Sequence, residues 1–200
     1  MVRRQQHPAR RDGRRPNLVK AQHIRQPAYN PANSSLAKGQ IMDLNWVIKA
    51  LEGNAGLLRA MLAEATDLAA QPANVPNHAA WITGHLTLVR ASLANLLGQP
   101  ADPVDMRKYG PGSSPTPHAA DYPTKTELLA AFNKAHAALV SALKTTKPET
   151  LAAQNPIEQL RAAAPTIGDL VVMMTASHDG LHLGQLSVWR RAMGLNRVIG

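Results

Sequence analysis

The spacing of apolar residues along the chain predicts four long amphipathic helices. Leucine, valine, methionine and alanine recur at three- and four-residue intervals, which is the period of a helix with one buried face. The predicted helices span about 42–70 and 77–97, followed by one that opens at Thr124 and one that runs from Thr166 to about Met193. Nothing in the pattern resembles a strand pair or a hairpin. The sequence therefore predicts an all-α protein, a four-helix bundle.

Local signals place the ends of these helices. Pro72 and Pro76 are expected to end the first helix, and Gly98 follows the second. Thr124 with Glu127, and Thr166 with Asp169, form capping-box patterns in which two side chains satisfy the first free amides of a helix. Residues 99–123 carry six prolines and two glycines, and form a long connection of the kind that crosses a bundle end or covers a pocket. Residues 146–165 form a second connection, with a short helical turn expected near Ile157–Arg161.

Charge divides the chain into a tail and a nearly neutral body. Residues 1–41 carry a net charge of +8, whereas residues 42–200 carry +1. We expect 1–41 to be a disordered basic tail because it has few apolar residues to bury, followed by the bundle over 42–195 and a short tail over 196–200. The basic tail is interpreted as a solvated extension, an artefact of a start codon upstream of Met42, a nucleic-acid contact or a transit peptide.

Composition excludes several kinds of chemistry. The chain has no cysteine, so it forms no disulfide, thiolate metal site or iron–sulfur cluster and has no thiol nucleophile. No apolar run approaches the roughly 18–20 residues that a membrane span needs. A cytoplasmic protein is expected on these grounds.

Two histidines on the last helix are the strongest chemical signal. His178 and His182 are four residues apart, so their side chains are neighbours on one helix face and can hold one metal ion. They fall on a stripe that is expected to face the core, made of Met174, His178, Leu181, His182, Gln185, Val188 and Trp189. Buried imidazoles are costly unless their ring nitrogens find partners, and metal coordination satisfies both.

A third ligand is expected from the second helix. His85 lies one turn after Trp81 and should face inward, and His78 is a competing candidate near the helix start. Three neutral imidazoles with an open position are the ligand set of catalytic zinc. His136 is expected half-buried at the surface, and His118 solvated.

The segment from His178 to His182 also has the form H-D-x-x-H, similar to the H-E-x-x-H of metalloproteases. Asp179 would replace the glutamate base with a shorter side chain, Gly180 weakens the helix, and no third ligand follows downstream. A protease is therefore rejected, and Asp179 is expected to lie off the metal face.

Two motifs together resemble the DinB-like superfamily of small four-helix bundles. These are N-x3-W-x3-H-L, from Asn77 to Leu86, and H-x3-H-x2-Q, from His178 to Gln185. The resemblance covers about residues 42–195, and the ending from Trp189 also matches.

The resemblance implies that His85, His178 and His182 are ligands of a divalent metal, with nickel or zinc the usual ion. It demotes His78 and makes Trp81 a packing residue beside the site. Gln185 is expected either to orient a metal-bound water or ligand, or to act as a helix-packing amide.

Three functions follow as hypotheses. The first is a metal-dependent hydrolase or low-molecular-weight-thiol transferase acting on a small molecule, with thiol transfer favoured because no separate general base is evident. The second is a non-enzymatic, stress-related or structural bundle that acts through homodimerisation, with a structural or vestigial metal site. The third is nucleic-acid binding through the tail, which the near-neutral body and the scarcity of aromatic residues in the tail disfavour.

Overall fold

A computed structural model describes residues 44–72 and 75–198 of the chain. Four long helices account for most of this part: α1 (Leu44–Leu62), α2 (Ala79–Leu96), α3 (Lys125–Thr145) and α4. Helix α4 consists of three consecutive segments. It begins as an α-helix (Ile167–Val172), continues as a π-helix (Met173–His178) and ends as an α-helix (Asp179–Ala192). The predicted all-α fold is confirmed. The basic tail over 1–41 and the proposed start at Met42 lie outside the described residues.

Short turns of helix interrupt the two long connections. The first connection contains Met106–Tyr109 and Ala119–Asp121, and the second contains Pro148–Ala152 and Glu158–Leu160. The last of these confirms the turn expected near Ile157–Arg161. Within the described part of the chain, the one strand-like feature is an isolated bridge in which Gln154 pairs with Thr166.

The capping predictions are confirmed at both sites. The Thr124 side chain accepts from the Glu127 amide, and the Glu127 carboxylate accepts from the Thr124 amide at 2.8 Å. Thr166 and Asp169 form the same reciprocal pair at the start of α4. The second helix begins differently, because the ring of His78 is its N-cap and accepts from the Trp81 amide through Nδ1.

Helix α1 ends eight residues before the predicted boundary at residue 70. The chain turns after Leu62, and the Asp67 carboxylate accepts from the amides of Ala69 and Ala70, which gives these residues a local alternative to helix. Leu68 remains buried and its carbonyl accepts from the Ala80 amide. The apolar spacing in the sequence therefore continues past the end of the helix, because the following residues also pack in the core, although they form a loop.

The predicted buried face of α4 is wrong at two positions. Leu181 and Val188 are 60% and 46% exposed. The face that contacts the core instead carries the following residues: Asp179, His182, Leu183, Leu186, Trp189 and Arg190. The prediction of the buried face was wrong because charged residues such as Asp179 and Arg190 are expected to face solvent. In the structure both side chains are buried against partners.

Helix α2 is the centre of the bundle. It is buried on nearly every side, and both clusters of core residues include its side chains, with Trp81, Ile82, Leu86 and Leu88 in one and Leu93 and Ala94 in the other. A helix apolar all round is expected to be enclosed by its neighbours. This position lets side chains of α2 meet α4 in the interior of the bundle.

His136 is buried rather than half-buried, which corrects the sequence prediction. It is 6% exposed on α3, its Nε2 lies 3.0 Å from Oε2 of Glu52 on α1, and its ring stacks near Phe132. Burial lowers the pKa of His136, although the hydrogen bond to Glu52 partly opposes this. His118 is exposed, as predicted.

This burial predicts a pH-dependent stability. Because the pKa of His136 is lower in the folded state than its ordinary value of 6.5, its contribution is complete above pH 6.5 and is lost as pH falls below that value. A His136→Gln variant should therefore show a shallower loss of unfolding free energy between pH 7.5 and 5, by at most about 1.4 kcal/mol per pH unit. Urea unfolding across this range measures the slope.

His118→Gln is the matched control, since it makes the same change at an exposed position. Equal slopes in the wild type and the His136→Gln variant would show that His136 is not buried in its neutral form.

Candidate metal centre

Three histidine rings meet between α2 and α4. Nε2 of His178 lies 3.0 Å from Nε2 of His85 and 3.2 Å from Nε2 of His182. A tetrahedral ion with nitrogen ligands at about 2.0–2.1 Å holds them about 3.3 Å apart. His85 and His182 are each 6% exposed. The structure therefore brings together all three predicted ligands, which we call the triad.

The proton positions on two of the rings follow from their other partners. Nδ1 of His85 lies 2.6 Å from the carbonyl oxygen of Tyr109, which only accepts, so this nitrogen carries the proton. Nδ1 of His182 lies 3.0 Å from Oε1 of Gln185, which also accepts from Nδ2 of Asn77 at 3.1 Å. Both rings consequently direct Nε2 lone pairs towards His178.

A shared cation satisfies this arrangement better than hydrogen bonds do. Nε2 of His178 can donate one proton to only one of the two facing lone pairs, and its Nδ1 is buried with no hydrogen-bond partner in the described part of the chain. Converging lone pairs in a buried site are costly without a cation between them. Metal-binding histidines usually donate their second N–H to a carbonyl or similar group, as His85 and His182 do. These residues fit a divalent metal ion.

The electrostatics keep the rings in the form that binds metals. Burial, together with the neighbouring His182, His85 and Arg90, lowers the pKa of His178 to about 4. Burial and His85 lower the pKa of His182 to about 4, against the hydrogen bond to Gln185. Burial also lowers the pKa of His85. The imidazoles are therefore neutral at pH 7, as metal ligands must be.

The first connection closes one side of the triad. The Trp81 ring stacks on His85 with centroids 4.9 Å apart and an angle of 6° between planes. Its Nε1 donates to the carbonyl of Lys108 and to Oγ of Ser113, which ties the connection to α2. Gly84 makes this approach feasible, because a Cβ there would overlap the Tyr109 ring. The expected packing role of Trp81 therefore extends to orienting the Tyr109 carbonyl towards His85.

His78 lies outside the triad, whereas the Gln185 amide contacts one of its rings and also Asn77. His78 is fully buried, but its Nε2 contacts the Thr116 carbonyl at 2.9 Å and its Nδ1 caps α2, so it does not join the triad. Gln185 contacts Nδ1 of His182 and orients that ring. It is therefore a positioning residue for His182.

Asp179 is not a member of the triad and instead forms a buried ion pair. Its carboxylate accepts two hydrogen bonds from Arg90 at 2.6 and 3.2 Å, and both side chains are 2% exposed. Burial raises the pKa of Asp179, and the Arg90 guanidinium opposes this. The bidentate geometry indicates a charged pair. This pair connects α2 to α4 directly beside His178.

Sequence reasoning missed the Arg90–Asp179 pair, although a signal for it was present. Arg90 is the one charged residue within α2, and Asp179 stands in the apolar surroundings of α4. Charges isolated in this way in buried helices are usually paired.

The π-helical segment was also missed. It ends at His178, and π-turns are frequent at functional sites. Widening of the helix leaves carbonyls without their usual partners, and Nδ2 of Asn54 on α1 donates to the Thr175 carbonyl at 3.0 Å. No local sequence pattern reports such a turn.

A four-helix bundle with a buried three-histidine site between two helices defines a class of metal-binding helical proteins. The family model of the DinB superfamily matches residues 50–186, a range that contains the whole triad. The chain belongs to the DinB superfamily. No curated protein and no solved structure matches the chain. No helix in the described ranges is both long and apolar enough to cross a membrane.

Breaking the buried ion pair should destabilise the bundle strongly. Asp179→Ala leaves the Arg90 guanidinium buried without a counter-charge, so the unfolding free energy should fall by about 3–5 kcal/mol. Denaturant unfolding at pH 7 measures this change.

The exposed pair of Lys134 with Asp102, whose side chains are 68% and 66% exposed, supplies the control. Asp102→Ala should change the unfolding free energy by less than about 1 kcal/mol. An equally small effect for Asp179→Ala would contradict a charged buried pair.

Proposed function

We propose that this protein is a metal-dependent enzyme that transfers a low-molecular-weight thiol to a small electrophile, with His85, His178 and His182 holding one nickel or zinc ion. The observation that carries the proposal is the convergence of the three Nε2 atoms, two of them with lone pairs directed by a fixed N–H donor on the same ring. A divalent ion bound there supplies Lewis acidity, which lowers the pKa of a thiol or a water.

The residues around the triad favour thiol transfer over hydrolysis. Asp179 is the carboxylate nearest to the triad in sequence, and it is engaged by Arg90, so it is not free to act as a general base. A thiol that is deprotonated at the site needs no further base to attack. In the transfer, the sulfur–carbon bond forms, the bond from carbon to the leaving group breaks, and the thiol proton leaves with the released group.

The protein groups have distinct parts in this reaction. The three imidazoles bind the ion, while the Tyr109 carbonyl and Gln185 hold His85 and His182 in orientation. Trp81 covers His85 and excludes water from that side. We place the reaction in the cytoplasm, where low-molecular-weight thiols are kept reduced. The chain has no cysteine, so no thiol of its own competes with them.

The full-length protein should contain about one nickel or zinc ion per chain by elemental analysis, and alanine at any one triad position should remove it. His118→Ala should keep the metal, because this exposed histidine lies outside the triad. Full metal content in the His182→Ala variant would refute the triad.

Turnover separates the enzymatic hypothesis from the alternatives. The loaded protein should join a low-molecular-weight thiol to 1-chloro-2,4-dinitrobenzene faster than the His182→Ala variant, with the thioether identified by mass spectrometry. Cleavage of a p-nitrophenyl ester in its place would indicate hydrolysis. Metal binding without either reaction would favour the non-enzymatic bundle.

A second copy of the chain is the proposed partner of α4. Leu181 and Val188 are exposed two turns apart on one helix face, and Gly180 and Gly184 lie beside them with open space around the position of an added Cβ. Small residues beside exposed apolar ones allow two helices to approach closely, which supports a homodimer through this face.

Leu181→Glu combined with Val188→Glu should convert the dimer to a monomer in sedimentation equilibrium, because charges would be buried at the interface. Val172→Glu, at a site on the same helix that is 38% exposed, is the control and should remain dimeric. A wild-type monomer, or a dimeric double variant, would contradict this interface.

A further inference from the structure

An apolar cavity of about 420 Å3 borders the triad. It is lined by His85 and His178, and by Leu88 and Leu93 from α2 and Leu170 from α4. These three leucines are at most 6% exposed. The cavity is therefore a built part of the bundle and is bordered by two rings of the triad.

The mouth of the cavity lies between the two long connections. Met106 from the first connection and Ile157 from the second border the cavity, and they are 57% and 42% exposed. Ser92 on α2 also lines it and is exposed. A small molecule can thus enter from solvent past Met106 and Ile157 and reach the triad.

The chemistry of the lining specifies the occupant. No Asp, Glu, Lys or Arg lines this cavity among the described residues, and its polar side chains are Ser92, Gln159 and the two histidines. Burying an ionised group without a partner costs several kcal/mol, whereas burying apolar surface is favourable. A cavity of this volume is large enough for a molecule of drug size.

We infer that this cavity binds the substrate that receives the thiol, and that this substrate is a neutral molecule with an aromatic or aliphatic body whose reactive atom faces His85 and His178. The inference rests on the proposed function only in the orientation of the substrate's reactive atom. The cavity and its preference for uncharged ligands do not depend on a bound metal. Charged parts of the thiol must remain outside this cavity.

A second cleft provides a contrast within the same protein. It has a volume of about 300 Å3, lies between α1 and α4, and is bordered by Arg190, Arg191 and Arg197 rather than by the triad. Anionic ligands should therefore prefer that cleft, and neutral apolar ligands the cavity beside the triad.

The test uses two dyes that share a naphthylamine body and differ in charge. N-phenyl-1-naphthylamine is neutral, and 1-anilinonaphthalene-8-sulfonate is anionic. Fluorescence titration of the full-length, metal-free protein should show saturable binding of the neutral dye at one site per chain. Ser92→Trp, which places an indole at the mouth, should weaken this binding at least tenfold.

Ser141→Trp is the matched control, since it makes the same change at an exposed position on α3 that does not line the cavity. It should leave the affinity for the neutral dye within twofold of the wild type. Ser92→Trp should not weaken binding of the anionic dye. Circular dichroism of both variants confirms that each is folded.

The inference is overturned if the neutral dye does not saturate, if Ser92→Trp binds it as tightly as the wild type does, or if the anionic dye competes for the same site with equal affinity. Metal content is measured on separate samples. A triad that fails to bind metal would refute the proposed function and leave the dye result unchanged, so the two failures are distinguishable.

Discussion

The structure depends on the enclosure of three neutral imidazoles that direct their Nε2 atoms to one point. Two lone pairs facing a third ring in a buried site are unfavourable unless a cation lies between them. The neighbouring groups hold this arrangement in place, because the Tyr109 carbonyl and the Gln185 amide oxygen each retain a proton on the far side of a ring. The surrounding helices and connections maintain the geometry at these three nitrogens.

A buried ion pair sets how α2 and α4 meet at this point. Arg90 and Asp179 are both removed from water and satisfy each other through two hydrogen bonds. Sliding either helix by one residue would separate them and leave two buried charges unpaired, which penalises alternative registers. The π-helical segment that ends at His178 adds a local widening of α4, and the Asn54 amide from α1 compensates by binding the Thr175 carbonyl. Three helices therefore contribute to the placement of one histidine.

The two long connections shape the site together with the helices. The first supplies the carbonyl that orients His85 and is anchored by Trp81. Together the connections form the mouth of an uncharged cavity through Met106 and Ile157. The connections thus leave an apolar cavity open to solvent beside the triad and cover the triad on another side. The triad and the uncharged cavity are thus built from separate parts of the chain that meet at His85 and His178.

The sequence by itself determined the helical fold, both capping boxes and the placement of His178 and His182 on one helix face, because apolar period, caps and the four-residue spacing are local properties of the chain. It left His78 as a competitor until the family resemblance favoured His85, which the structure brings beside the pair. It did not determine where α1 ends or which face of α4 is buried, since a loop can bury Leu68 as well as a helix can, and Leu181 is as apolar as Leu183. Only the tertiary structure decided that Asp179 is buried, because its burial depends on a guanidinium 89 residues away in sequence. The proton positions on the triad were decided in the same way, by a carbonyl and an amide oxygen that folding brings to the rings.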